Sequence, residues 1–207
     1  ACGHTFDTNS DTEVLLRAYH EWGEACVERF EGMWAFAIYD ARNALLWLSR
    51  DRFGKKPLFY SQVGDTFVFS SELNSMLQHP VVSNRIDNIS FRKYFAYGYI
   101  PAPRSLVENV CKLPAGYNLI FKIPDRRITI SRYWRYRIEV DNEILFDEKR
   151  TNNELLESLS RAVTTRLVAD VPVGVLLSGG IDSSSIIALA LNARQGSEVR
   201  TFSIGFD

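Results

Sequence analysis

The stretch "VPVGVLLSGGIDSSSIIALALNAR", Val171 to Arg194, decides the fold of the second half of the chain. "VPVGVLL" is a short apolar run of the kind found in buried parallel strands, and "SSSIIALALNAR" predicts a largely buried helix that closes near Gly196. Between them lie two glycines, an aspartate and several hydroxyls. A buried strand, a bare polar loop and a buried helix, in that order, make the turn at the carboxyl edge of an open α/β sheet.

The neighbouring segments agree with this placement. Thr151 and Glu154 have the spacing of a capping box and open a helix whose buried face carries Leu155, Leu159, Ala162, Val163 and Leu167. "EVRTFSIGF" after the helix reads as the next strand. Ligands of open α/β sheets bind at such a turn, where a helix N-terminus presents unpaired N–H groups and a partial positive charge to an anion. Gly179 and Gly180 let the backbone approach phosphate oxygens closely, and Ser178, Ser183 and Ser184 supply hydroxyl donors. Asp182 would repel a phosphate unless a divalent cation lay between them, which points to Mg²⁺ held jointly by the carboxylate and phosphate oxygens. The lysine of the G-x-x-x-x-G-K-[ST] loop is absent, so a Walker-type site is excluded.

Further upstream the texture differs. Ser10 and Glu13 form a first capping box, and Leu15, Ala18, Tyr19, Trp22 and Cys26 fall on one face of a helix interrupted near Gly23. "MWAFAIYD", "ALLWLSRD" and "PLFYSQVGDTFVFSSE" read as strands of an antiparallel sheet. In the first of these, Trp34, Phe36 and Ile38 alternate with Met33, Ala35 and Ala37, so both faces should be covered. The charged turn "RDRFGKKP" is expected to shape a hairpin and cover the surface. From Asn84 onward, prolines, glycines and tyrosines suggest extended connections with one short hairpin from "YNLIFKI" to "RRITISRYW". Three segments follow: 1–83 as the first domain, 84–150 as a connector, and 151–207 as the start of a second domain.

Composition limits the functional classes. Across 207 residues, 24 basic and 25 acidic side chains leave a formal net charge of -1, and 46% of residues are hydrophobic. That describes a globular chain without the basic footprint of a nucleic-acid binder. No run approaches the roughly 20 apolar residues of a membrane span, and no signal peptide is recognisable, so a cytoplasmic protein with no membrane partner is expected. Three cysteines and three histidines, all scattered, suggest neither a disulfide framework nor a zinc site. The chain opens at Ala1 and stops just after a strand, which suggests a piece of a longer protein.

"LSGGIDSS" resembles the pyrophosphate-binding loop of the PP-loop ATP pyrophosphatases, whose members activate a carboxylate or carbonyl oxygen by adenylation. "SDTEVLLRAYHEWG", "FEGMWAFAIYD", "SRDRFGKKPLFY", "FSSEL", "YGYIPAP", "KLPAGYNL", "RYW" and "DVPVGVLLSGGIDSS" occur in the order seen in glutamine-hydrolysing asparagine synthetases of the bacterial type, over almost the whole chain. The resemblance implies an α+β part, a partial N-terminal-nucleophile αββα sandwich, followed by an α/β part, the start of a parallel-sheet ATP pyrophosphatase domain. It also implies an ATP- and Mg²⁺-dependent ligase acting on glutamine, aspartate and ATP, in a full-length protein that forms a homodimer.

The same resemblance assigns residues. Asp11 would hold the α-amino group of glutamine, although an acid in a first helical turn also stabilises the helix through its dipole. Leu176 and Ile204 would line the adenosine pocket, with sheet core as the alternative reading. Ser178, Gly179, Gly180, Asp182, Ser183 and Ser184 would surround the phosphates, with Asp182 on Mg²⁺. Cys2-Gly3 imitates the family's nucleophile, but Ala1 precedes Cys2 and leaves it no free α-amino group to act as base. The nucleophile is therefore expected upstream, with no catalytic residue in this chain. Relatives that amidate other carboxylates or close β-lactam rings share the same domain pair, and a non-catalytic nucleotide-binding remnant is a further alternative.

Overall fold

The computed structural model describes residues 3–140, 147–194 and 198–205. The chain divides into two compact units, Ala1–Arg137 and Ile138–Asp207. Among the described residues no helix is long and apolar enough to cross a membrane.

The first unit is layered. Helix α1 (Asp11–Trp22) starts at Ser10, whose hydroxyl accepts from the Thr12 amide, and stops at Gly23, where φ is 58°. A 3₁₀ segment, Gly23–Arg29, follows, so the interruption falls where the sequence placed it. Against these lies a four-stranded antiparallel sheet of β1 (Ala35–Asp40), β2 (Leu45–Arg50), β6 (Tyr117–Lys122) and β7 (Arg127–Arg132), in that order. A second antiparallel sheet has the order β4 (Thr66–Ser70), β3 (Phe59–Val63) and β5 (Cys111–Lys112).

Strand alternation sends neighbouring side chains into different layers. Trp47 of β2 is fully buried towards α1, with Ala18, Cys26, Val27 and Ile38. Leu48, the next residue, is fully buried between the sheets with Leu58, Tyr60, Leu113, Leu119 and Phe121. Phe67 of β4 stacks on Phe121 of β6 at 4.6 Å between ring centroids, joining one sheet to the other. Beyond the second sheet, Met76 of the short helix α2 (Leu73–Met76) packs with Val82, Val107 and Val110. Helix, sheet, sheet and an outer helical layer are the order expected of the αββα sandwich. Helix α3 (Asn88–Tyr97) is capped by Asp87, which also accepts from Arg104 at 2.7 Å.

The division at Arg137 corrects the expected boundary near 84. β5, β6 and β7 all lie between 84 and 137, and β6 is an inner strand paired with both β2 and β7. That stretch is core of the first unit rather than a connector. "RDRFGKKP" does not make a hairpin either: β2 and β3 belong to different sheets, so the turn crosses between layers. β1 is covered on both faces only in part. Phe36 and Ile38 join the α1 layer and Ala35 the inter-sheet core, while Ala37 is exposed and Met33 is 49% exposed.

The second unit contains α4 (Glu148–Arg166), β8 (Gly174–Leu176), α5 (Ile181–Ala193) and β9 (Arg200–Phe202). β8 and β9 pair in parallel, as the strand–loop–helix reading requires. The second capping box does not form, because α4 begins earlier, at an N-cap of Asp147 whose carboxylate accepts from the Arg150 amide. Thr151 thus lies inside the helix, and Glu154 pairs with Arg150 at 3.0 Å. The expected burial also fails: α4 has no buried residue, α5 buries only Leu189 and Ala190, and Leu155 and Leu176 are 55% and 76% exposed. Two strands of three residues present too little apolar surface to cover two helices. The expected helix stop at Gly196 lies outside the described residues.

Candidate functional site

Each unit holds a candidate site. In the first, a cavity of about 700 Å³ opens at the head of α1, lined by Asp11, Arg29, Phe30, Trp34, Lys56 and Pro57 among others. Its walls are mainly apolar while charges of both signs stand on them, a combination suited to a small zwitterion with an aliphatic middle. Asp11 is exposed in the first turn of α1, where among the described residues its carboxylate takes only a long 3.5 Å contact from the neighbouring Thr12 hydroxyl. It is therefore available to a ligand.

The entry to α1 is fixed by Glu13 rather than by a reciprocal capping box. The Glu13 carboxylate passes over the Ser10 amide and accepts from the amides of Asp7 and Thr8 and from the Thr8 hydroxyl, the last at 2.6 Å. The Thr8 hydroxyl, then the Asp7 amide, hold the Glu13 carboxyl down to about 2. Three donors in this loop, the Asp7 and Thr8 amides and the Thr8 hydroxyl, thus converge on one carboxylate and set the start of the helix that carries Asp11.

Trp34 and, apart from it in sequence, Lys56 and Pro57 build two further stretches of the cavity wall. Trp34 is held by its indole N–H on the Ser49 hydroxyl at 3.1 Å and stacks on Tyr133. Asp51 and Arg50, behind the wall, organise the crossing turn. The Arg50 guanidinium donates to the carbonyls of Leu113, Gly54 and Lys56 at 2.6–2.8 Å. This arrangement was not legible in the sequence, since the partners come from the residue before β1, from β2 and from the segment before β6. The charge cluster "RDRFGKKP" was its only local trace.

Cys2 lies outside the described residues. Cys26 is fully buried, and burial pushes its thiol up to about 11, so it is an inert core residue, as the helical stripe suggested. Trp22 departs from that stripe, being 36% exposed with the Arg29 guanidinium 4.5 Å above its ring.

In the second unit the loop between β8 and α5 brings Ser178 to Ser184 together. Gly179 has φ +80° with open space around a notional Cβ, so glycine is needed here for conformation and not for room. Gly180 is the N-cap and supplies no side-chain cap to the first N–H groups of α5. The hydroxyls of Ser178 and Ser183 lie 3.1 Å apart, while those of Ser183 and Ser184 donate to the Gly180 carbonyl. Asp182 is exposed and makes no hydrogen bond or ion pair with the described residues. Among those residues there is no group of three or more His, Cys, Asp and Glu arranged for a metal.

Leu176 ends β8, and Ile204 lies just past β9. They are 76% and 83% exposed. Both lie at the carboxyl edge that also carries the loop, tied there by the Leu177 amide on the Phe202 carbonyl and by the Ser203 hydroxyl on the Leu177 carbonyl, each at 2.8 Å.

Residues 1–134 match the family of the glutamine amidotransferase domain, and residues 154–207 match the family described as asparagine synthase. A putative asparagine synthetase [glutamine-hydrolyzing] 2 of Methanocaldococcus jannaschii is 41% identical over 97% of this chain and 39% of its own length. Asparagine synthetase [glutamine-hydrolyzing] 3 of Bacillus subtilis is 36% identical over 100% of this chain and 34% of its own length. For asparagine synthetase B [glutamine-hydrolyzing] of Escherichia coli the identity is 32%, over 90% of this chain and 28% of the relative. The chain thus spans two fifths or less of these relatives. A solved glutamine phosphoribosylpyrophosphate amidotransferase from B. subtilis is similar at 17% identity and a TM-score of 0.42, covering 98% of this chain and 40% of that one.

Proposed function

The chain belongs to the glutamine amidotransferase family through residues 1–134, and from that premise we propose that a full-length protein carrying it makes asparagine from aspartate with nitrogen taken from glutamine. The side-chain carboxylate of aspartate attacks the α-phosphorus of ATP and pyrophosphate leaves. Ammonia released from glutamine then attacks the aspartyl adenylate, forming the amide bond and expelling AMP. The observation that carries this reading is the succession, in one chain, of the amidotransferase unit and a bare serine-rich loop at the head of α5 within the asparagine synthase match.

Residue roles follow from local chemistry. The Asp11 carboxylate, on the wall of a cavity with apolar sides, would pair with the α-ammonium of glutamine. Ser178, Gly179, Gly180, Ser183 and Ser184 would contact the ATP phosphates through hydroxyls and N–H groups, and the exposed chain at Leu176 and Ile204 would meet the adenosine. Asp182 suits Mg²⁺ because it is an exposed carboxylate with no partner, beside donors that attract phosphate. It stands alone, so the remaining ligands of the ion would be phosphate oxygens and water. Bound there, Mg²⁺ would supply charge neutralisation at the leaving pyrophosphate. A cytoplasmic homodimer belongs to the same reading.

The test is an assay of the full-length protein with glutamine, aspartate, ATP and Mg²⁺. Asparagine, glutamate and AMP should appear in equal amounts. AMP and amide formed only on a different carboxylate would move the protein to the relatives that share this domain pair but use another acceptor. Nucleotide binding without turnover would reduce the second unit to a binding remnant.

A further inference from the structure

We infer that Asp51 is a positioning residue that fixes two walls of the cavity at the head of α1 relative to each other, an inference that rests on the glutamine reading of that cavity. Asp51 does not line the cavity. It is 1% exposed behind it, and its carboxylate forms no ion pair within the described residues.

Its charge is met entirely by peptide N–H groups. Oδ1 accepts from the amides of Phe53 at 3.1 Å and Lys55 at 3.0 Å, closing the turn. Oδ2 accepts from the amides of Trp34 at 3.3 Å and Lys56 at 3.0 Å. Trp34 and Lys56 line the cavity and are far apart in sequence, so a single oxygen joins two of its walls. The Asp51 amide adds a 3.0 Å bond to the Trp34 carbonyl. From the other side the Lys56 carbonyl is held by Arg50. The Lys56 peptide is thus gripped at both its donor and its acceptor, in a loop whose side chains would otherwise swing on an exposed turn.

A turn needs only a short polar side chain to cap it. Burying a full charge is costlier, and four N–H donors converging on it give a rigid junction in return. Rigidity matters here because the ends of a small zwitterion must meet groups on different walls, and loss of registration weakens its binding directly.

Asp51→Asn keeps the side chain's shape but turns one oxygen into a donor that faces two N–H groups. One pair of bonds is then lost, together with the charge that strengthened all four. In the full-length protein, the KM for glutamine should rise about tenfold, while ammonia-dependent asparagine formation at saturating ammonium chloride stays within about twofold of the unsubstituted protein. An unchanged KM for glutamine would overturn the inference. So would an equal loss of both activities, which would leave Asp51 a group that merely holds the fold. If the unsubstituted protein uses ammonia but never glutamine, the glutamine reading fails and the inference with it. Should the variant not fold, amide exchange in the unsubstituted protein decides: Trp34 and Lys56 should exchange more slowly when glutamine saturates the site, and an indifferent pair would count against the assignment.

Discussion

Asp182 and Asp51 are two carboxylates with opposite surroundings, and their chemistry differs accordingly. Asp51 is buried with every oxygen occupied, so it can shape a site but offers nothing to a ligand. Asp182 is exposed in the first turn of α5 with no partner, so its charge is free to act outward. Asp182→Asn retains the helix start and removes only that charge. Adenylation by the full-length protein should therefore fall by about 10²-fold, the scale on which losing one principal electrostatic contact costs a reaction. Glutamine hydrolysis should survive, because the cavity proposed to hold glutamine belongs to the first unit. ATP-to-AMP turnover and glutamate release, measured side by side, check this; unimpaired adenylation with unchanged Mg²⁺ dependence would reduce Asp182 to a residue of the helix start. The two residues also differ in legibility. Asp182 lies within a local motif whose glycines and serines are adjacent in sequence. Asp51 takes its meaning from Trp34, seventeen positions away, and no pattern of spacing announces such a pairing.

At the scale of elements, the head of α1 gives a prediction with a definite sign. Glu13 ordinarily titrates near 4.5 and is held down to about 2 in the fold by the Thr8 hydroxyl and the Asp7 amide. A depressed carboxyl stabilises the fold fully above its unfolded value and loses that contribution as pH falls through the folded one. The stability difference between the unsubstituted protein and Glu13→Gln should thus be constant above about pH 4.5 and shrink between there and about pH 2. Urea titrations of both proteins across that range measure it, and a difference that grows towards acid would refute the account. Element types were legible because their causes are local: alternation gave the strands, the 3.6-residue stripe gave α1, and Gly23 gave its end. Helix starts were less so. Ser10 caps α1, yet Glu13 reaches past it to Asp7 and Thr8, and Asp147 displaces Thr151 as the cap of α4, because caps compete over several residues and the tertiary path of the entering chain selects among them.

The whole molecule is unevenly built, and its unfolding should show this. The first unit closes three buried clusters around two sheets, and its strands are tied by pairings of long sequence separation such as Leu48 with Leu119. The second has a parallel pair of three residues each, and its helices leave Leu155, Leu156, Ile181 and Ile186 between 42% and 86% exposed. Apolar burial is the main favourable term in stability, so the second unit should open at lower denaturant than the first. This contrast within the given chain was not legible in the sequence: "VPVGVLL" and the leucines of α4 carry the composition of a buried layer, and burial depends on which elements pack against them. Two optical signals separate the units. All four tryptophans, Trp22, Trp34, Trp47 and Trp134, lie in the first unit, so indole fluorescence reports on it alone. The two longest helices among the described residues, α4 of 19 residues and α5 of 13, lie in the second, so far-ultraviolet circular dichroism reports on both units and carries the loss of the second. In a urea titration of the 207-residue chain, a first part of the ellipticity should be lost before the fluorescence transition, which should follow at higher urea. A ligand of the second unit should move the two apart in a defined way: Mg²⁺ with ATP, binding the folded loop only, should raise the midpoint of that first loss of ellipticity and leave that of fluorescence in place. Coincident curves that shift together would mean that the two units unfold as one cooperative body, and the uneven burial would then have no thermodynamic consequence.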